Sequence, residues 1–339
     1  GNWETREDNA NIEEKLLTAY LSRRGYTDKE IRSSIVKLKQ SANSLGGGLY
    51  NANKEVYTFL RYGVNIQAEV TEKKKMVHLI DWANPMENDF QIAEEVTIQG
   101  ASDRRPDLVV YVNGIALAVI ELKRSTVSAH EGIRQNIRNQ QDGYIPRFFT
   151  TIQLLFAGND TEGLHYGVIK TPEKFWLRWK EPCGEPCQPS HFTAKEYPNE
   201  LDRSVLQFFE PVRLLEYIHD FIIFDGGIKK TARPNQYFAV KAAQPRVRKK
   251  QNGIIWHSQG SGKSLTMVWL AQWIRENVSD ARVVIITDRD ELDKQIESGF
   301  KDVGEQIQRA KSGGKLIEML NAAEPWLICT LIHKFGKKN

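Results

Sequence analysis

The sequence predicts an α/β protein in two parts: an α/β sandwich built around an antiparallel hairpin, then an open α/β lobe built around a glycine loop. Three observations carry this. At 339 residues the chain is longer than one ordinary core needs. Segments of period-2 apolar alternation lie among segments of helical spacing. The composition changes after a proline-rich stretch near residue 182, beyond which strand, glycine loop and helix alternate. A hydrophobic fraction of 40% and a charged fraction of 27% fit a soluble globular protein. With 47 basic against 43 acidic residues the net charge is only +4, so attraction of the whole molecule to nucleic acid is not established, although a local basic groove is compatible with it. No apolar run approaches the ~20 residues that span a bilayer, and the polar start GNWETREDN lacks a signal-peptide layout; the expected location is the cytoplasm.

In chain order, IEEKLLTAYLSRRGY has helical spacing, and TDKEIRSSIVKLKQ repeats it with Thr27 placed as an N-cap. SANSLGGGLYNANKEV reads as loop. KMVHLIDW, FQIAEEVTI, LVVYV and IALAVIEL read as strands, followed by a helix from about His130 to Gly143 and strands at TIQLLFAGN and HYGVIK. Farther on, SVLQFFEPVRLLEYIHDFIIF reads as helical, QPRVRKKQNG as a basic linker, and GIIWH as a strand entering a glycine loop. The cysteines, Cys183, Cys187 and Cys329, are too few for a disulfide framework. Cys183, Cys187 and His191 could supply three zinc ligands, but no fourth lies nearby, and two reduced cysteines in a loop are the preferred reading.

The hairpin RPDLVVYVNGIALAVIELK carries the first chemical signal. An acid, any residue, then lysine occurs three times, at Glu13 with Lys15, Glu72 with Lys74 and Glu121 with Lys123. The first two sit in an amphipathic helix and a charge run and read as solvated surface. Only the third ends an apolar strand one strand after a Pro-Asp pair. Alternation puts Glu121 and Lys123 on one face. A plain two-residue turn at Asn113-Gly114 would pair Asp107 with Ile120 and put it on the opposite face. We therefore expect a three-residue loop, Val112 to Gly114, or a bulge near Asp107, either of which returns Asp107 to the face of Glu121. Two carboxylates on one face suit Mg²⁺, which lowers the pKa of a bound water and neutralises charge on a phosphate, while Lys123 orients the nucleophile. The alternative is a salt-bridged hairpin end, with Lys123 paired to Asp107 or Glu121.

The second signal is GIIWHSQGSGKSLTMVWLAQWIRE. An apolar strand runs into Gln259, Gly260, Ser261, Gly262, Lys263 and Ser264, and an amphipathic helix follows. Backbone amides of such a loop face phosphate oxygens, Lys263 reaches the β and γ phosphates, and Ser264 offers its hydroxyl to Mg²⁺. His257 stands where the strict phosphate-loop pattern has its first glycine.

The hairpin resembles the PD-(D/E)xK nucleases, with Pro106-Asp107 and Glu121-Leu122-Lys123 as the two elements. Gln140 to Tyr144 looks like the Gln-x-x-x-Tyr element of one nuclease branch, and i, i+4 spacing would place Gln140 and Tyr144 on one helix face. Some members add an acid from the first helix, for which Glu13, Glu14 and Glu55 stay open. ARPNQYFAVKAA resembles an adenine-reading element, making Gln236 a candidate for base recognition. TDRDELDKQ looks like a DNA-backbone motif of superfamily 2 helicases rather than a metal-binding strand end with Asp288 or Asp290.

Both parts in this order resemble the R subunit of type I restriction enzymes. That resemblance implies a PD-(D/E)xK endonuclease domain with N-terminal helices over 1–182, a helical connector over 183–235, and a first RecA-like lobe over 236–339 that stops before the Walker B motif. It implies Asp107 and Glu121 as metal ligands, Lys123, Gln140 and Tyr144 as further catalytic residues, and Mg²⁺ and ATP as cofactors. Double-stranded DNA and the modification (methyltransferase) and specificity subunits are the implied partners, in a bacterial or archaeal cytoplasm. ATP hydrolysis would drive DNA translocation ahead of cleavage, and this portion alone should turn over ATP poorly. The alternatives are a repair-type helicase-nuclease without modification partners and a DNA-binding scaffold whose carboxylates only form salt bridges.

Overall fold

The computed structural model describes residues 10–66, 75–182, 199–302 and 304–336. The Cys183, Cys187 and His191 set and the Glu72 and Lys74 pair lie outside them. The chain divides into two compact units, Gly1–His219 and Asp220–Asn339.

The first unit opens with α1 (Glu14–Arg23), α2 (Asp28–Asn43) and α3 (Gly48–Tyr62). Thr27 caps α2 through a reciprocal pair with Glu30. α3 begins inside the segment read as loop, because Leu49, Ala52, Asn53 and Val56 form a buried face at helical spacing. Asn53 then donates to the carbonyls of Phe149, Thr150 and Ile152 at 3.1, 3.0 and 2.8 Å, a long-range bond set no local pattern announces.

After the short pair β1 (Val64–Ile66) and β2 (Lys75–Val77) come β3 (Phe90–Glu94), β4 (Leu108–Val112), β5 (Ile115–Leu122), α4 (Ala129–Asn139), β6 (Leu154–Asn159), β7 (Gly163–Gly167) and β8 (Leu177–Arg178). β3 to β8 form a six-stranded sheet in sequence order. All neighbours are antiparallel except β5 and β6, which α4 connects. One sheet face, with Val109, Tyr111, Val119 and Leu155, packs on Ile133 of α4 and on Phe149. On the other face, α5 (Glu200–Phe208) and α6 (Pro211–Asp220) bring in aromatic rings: Phe208 lies 4.9 Å from Phe156 and 5.5 Å from Tyr166. Burying such rings contributes about 2–3 kcal/mol each.

The second unit contains the hairpin β9 (Ile222–Asp225) and β10 (Ile228–Thr231), then α7 (Pro234–Arg248), α8 (Lys263–Asn277), β11 (Val283–Thr287), α9 (Asp290–Asp302), β12 (Ile307–Arg309), α10 (Gly313–Asn321) and β13 (Leu327–Leu331). The parallel sheet has the order β11-β13-β12 and buries Cys329. Three local expectations fail here. Ile222, Ile223 and Phe224, read as the end of a helical segment, lie in β9 because they pair with β10. The first half of the supposed basic linker belongs to α7, where Tyr237, Val240 and Gln244 continue one buried stripe. The GIIWH strand does not form: residues 251–258 pair with no strand, and Ile254 and Trp256 stand 90% and 91% exposed. An apolar run becomes a strand only when a ladder partner is present, and none of the three strands of this sheet takes it. No helix among the described residues is long and apolar enough to cross a membrane.

Candidate functional site

The register of the β4–β5 hairpin decides whether its carboxylates meet. Val112 pairs with Ile115, so the connection is the two-residue turn Asn113-Gly114, with φ of 53° and 80°, and not the three-residue loop expected. Gly114 is required there, since a Cβ would also stand 2.8 Å from the Glu13 carbonyl. The register shifts farther along: Tyr111 pairs with Ala116 but Val110 with Ala118, leaving Leu117 as a bulge whose carbonyl accepts from Gln153 N at 2.7 Å. Ala116 and Val119, three residues apart, therefore share the α4 face. The shift continues through Val109 with Val119 and Leu108 with Ile120, which sets Asp107 across from Glu121 on that same face.

Glu121 is fully buried, and neither of its carboxylate oxygens receives a hydrogen bond. Burial, then the neighbouring charge of Asp107, pushes its carboxyl up to about 8, against the pull of Lys123 and Arg138. Asp107 accepts from Leu122 N at 2.6 Å through Oδ2. Lys123 Nζ lies 3.9 Å from Asp107 Oδ2 and 3.9 Å from Glu121 Oε2, too far for a hydrogen bond to either. It donates instead to Gln135 Oε1 at 2.9 Å. The lysine thus stands in ion-pair range of both carboxylates without hydrogen-bonding either, and Glu121 is left without a donor. A buried carboxylate without donors, beside a second one, fits a divalent cation that takes oxygen ligands.

α4 approaches β5 closely because Gly132 has no side chain: a Cβ there would meet Ala157 Cβ at 3.1 Å and Glu121 Cβ at 3.3 Å. One turn on, Gln135 reaches Lys123. Sequence reasoning passed over Gln135 because Gln140 to Tyr144 matched a pattern; the usable signal was helical spacing from Gly132. α4 ends at Asn139, so Gln140 and Tyr144 do not share a helix face. Gln140 bonds Asn136 O at 2.9 Å and accepts from Lys170 N at 2.7 Å, while Tyr144 lies in the following turn with the Arg104 guanidinium 4.2 Å from its ring centre. Of the candidate third acids, Glu13 bonds through its amide to Gly114 O at the turn end of the hairpin, the far end from Asp107. Its neighbour Glu14 pairs with Lys39, and Glu55 is exposed on α3.

In the second unit the glycine loop is turned by Gly260 and Gly262, at φ of 76° and 83°, and leads into α8 at Lys263. Lys263 Nζ donates to the carbonyls of His257 and Ser258 at 3.2 and 3.0 Å, and Ser261 Oγ to Ser258 O at 2.7 Å. Gln236, buried at the start of α7, donates to Gly262 O at 2.8 Å. Gln259 is exposed and Ser264 half-buried in the first turn of α8. Asp290 is taken up in ion pairs with Lys294 and Arg309.

A family model described as the type I restriction enzyme R protein N terminus matches residues 1–174, just over half of the chain. The chain belongs to this family. Residues 235–339 match a second model, described as SWI2/SNF2 ATPase. Among curated relatives, a putative type I restriction enzyme endonuclease subunit of Methanocaldococcus jannaschii is 27% identical over 96% of this chain and 35% of its own length. A type I restriction enzyme endonuclease subunit of Staphylococcus aureus is 26% identical over 78% of this chain and 28% of its own length. A second M. jannaschii relative, also named a putative type I restriction enzyme endonuclease subunit, is 29% identical over 78% of the chain and 26% of its own length. The chain thus spans about a third of the length of the relatives it matches. The α/β architecture of both units agrees with the two family matches.

Proposed function

We propose that this chain carries the nuclease centre and part of the ATP-driven motor of a type I restriction subunit that hydrolyses phosphodiester bonds of double-stranded DNA. The observation that carries this reading is the buried Glu121 carboxylate, without a donor and facing Asp107, with Lys123 held beside the pair by Gln135. Asp107 and Glu121 would hold Mg²⁺, which when bound supplies a water of lowered pKa and offsets charge on the phosphate. Lys123 presents its ammonium toward the same space, where it orients the nucleophile or stabilises charge on the phosphoryl oxygens. Gln135 fixes the direction of that ammonium by taking one of its three hydrogens.

The second unit would bind ATP through the glycine loop, with Lys263 leaving the His257 and Ser258 carbonyls for the β and γ phosphates and Ser264 serving the metal ion. Gln236 reads the base and links that event to the loop through Gly262. On this reading the full-length subunit joins modification and specificity subunits in the cytoplasm and pulls duplex DNA before cutting it. On the same reading the domains would run over 1–182 for the nuclease, 183–235 for a helical connector and 236–339 for the motor lobe.

The test uses the full-length subunit in its assembled complex. Asp107→Ala should abolish cutting and leave ATP turnover intact, whereas Lys263→Ala should abolish turnover. Equal loss of ATP hydrolysis in the Asp107 variant would refute two separable sites.

A further inference from the structure

We propose that Arg138 grips a DNA phosphate beside the bond that is cut, as a positioning residue of the nuclease centre. The inference rests on reading Asp107 and Glu121 as that centre and adds a substrate contact to it.

α4 lies over the carboxylates with Gly132 against Glu121, so its residues have distinct directions. Ile133, Asn136 and Asn139 are buried toward the sheet. Gln135, on the flank of the helix, reaches out to Lys123. Arg138 follows Gln135 by three residues, and an i, i+3 step on a helix keeps it on the same flank. That flank borders the accessible side of the centre, where Asp107 retains 37% side-chain exposure and Lys123 18%. Arg138 is exposed, and among the described residues its guanidinium makes no ion pair or hydrogen bond. The neighbouring Arg134 is different: it is paired with both Glu131 and Glu173. The positive charge of Arg138 is nevertheless felt at the Glu121 carboxyl, which places the two within electrostatic reach.

An unpaired arginine on the open flank of a two-carboxylate centre has a defined use. DNA brings closely spaced phosphates to a site that already carries two negative side chains, so approach needs compensating charge. The planar guanidinium offers paired N–H donors that match two phosphate oxygens, which the single ammonium of Lys123 does not. Lys123 then serves the reacting phosphate, and Arg138 fixes the register of the strand through a neighbouring one.

The experiment compares Arg138→Gln, Arg138→Lys and Asp107→Ala in the full-length subunit assembled with its partners, measuring duplex cleavage at several salt concentrations together with ATP hydrolysis. Arg138→Gln should cut about tenfold to a hundredfold more slowly, the loss expected for one charge-assisted contact. The log-log salt dependence of duplex binding should flatten by about one. Arg138→Lys should recover part of the rate, and ATP hydrolysis, thermal stability and Mn²⁺ affinity should match the parent. Full cleavage by Arg138→Gln alongside a dead Asp107→Ala overturns this inference alone. Loss of stability or of Mn²⁺ affinity in Arg138→Gln also overturns it, by assigning the arginine a structural role. Cutting by Asp107→Ala would remove the nuclease reading itself.

Discussion

Replacing Glu121 by glutamine removes a charge from the interior while keeping the shape of the side chain. Burial is the main reason that this carboxyl stands at about 8 and not near 4.5, and the charge of Asp107 comes next. A displacement of that size is worth about 5 kcal/mol at ~1.4 kcal/mol per pH unit. Local relaxation and water entry lower what is measured, and about 2–3 kcal/mol is expected. The sign follows from proton counts. Between pH 4.5 and 8 the folded protein keeps a proton on Glu121 that the unfolded chain has released. Stability therefore falls as pH rises through that window, and the penalty is complete above about 8. The Glu121→Gln variant has no such slope, because an amide does not titrate. Urea unfolding of this chain and of Glu121→Gln in the presence of a chelator, at pH 5, 6.5 and 8, isolates the effect of this site, because titrating groups remote from Glu121 cancel in the difference. The wild type should lose about 2–3 kcal/mol relative to the variant between the lowest and highest pH. Millimolar Mn²⁺ or Mg²⁺ at pH 8 should restore stability to the wild type and leave the variant unmoved. Parallel pH profiles, or a variant less stable than the parent at pH 8 without metal, would refute the account of Glu121 as an uncompensated buried carboxylate.

Gln135→Ala frees Lys123 from its partner on α4 and should slow cleavage by the full-length subunit about tenfold with unchanged ATP turnover, the cost of one hydrogen bond to a charged group; a wild-type rate would deny Gln135 its positioning role. Gly132→Ala pushes a methyl group against Ala157 and Glu121 and should destabilise the first unit by about 1–3 kcal/mol in thermal or urea unfolding, since backbone lies among the atoms it meets. Gly262→Ala combines a φ of 83° with a Cβ 2.4 Å from Gln236 Nε2, so nucleotide binding, followed by a fluorescent ATP analogue, should weaken about tenfold or more.

Much of the chemistry was legible because it is local. A carboxylate at each strand end of an apolar hairpin and a run of Gly-Ser-Gly-Lys need only a few neighbouring residues to reveal what they can bind. The Thr27 cap of α2 was readable for the same reason, its partner Glu30 lying one turn away. The parity of Asp107 was not local. It depends on the bulge at Leu117, held by a bond from Gln153 on a different part of the chain, and both a plain turn and a longer loop suited the same residues.

What the sequence by itself determined are the residue types of the two sites, the α/β class and the order of the two units, because spacing and side-chain chemistry are properties of the chain. Tertiary structure alone decided that Gln135 meets Lys123, that Gln236 touches the glycine loop through Gly262, and that Gly253 to Trp256 lies outside any ladder. The physical reason is common to all three. A hydrogen bond or a strand pairing between distant residues forms only when packing brings the partners within about 3 Å, and no periodicity in the sequence encodes that meeting.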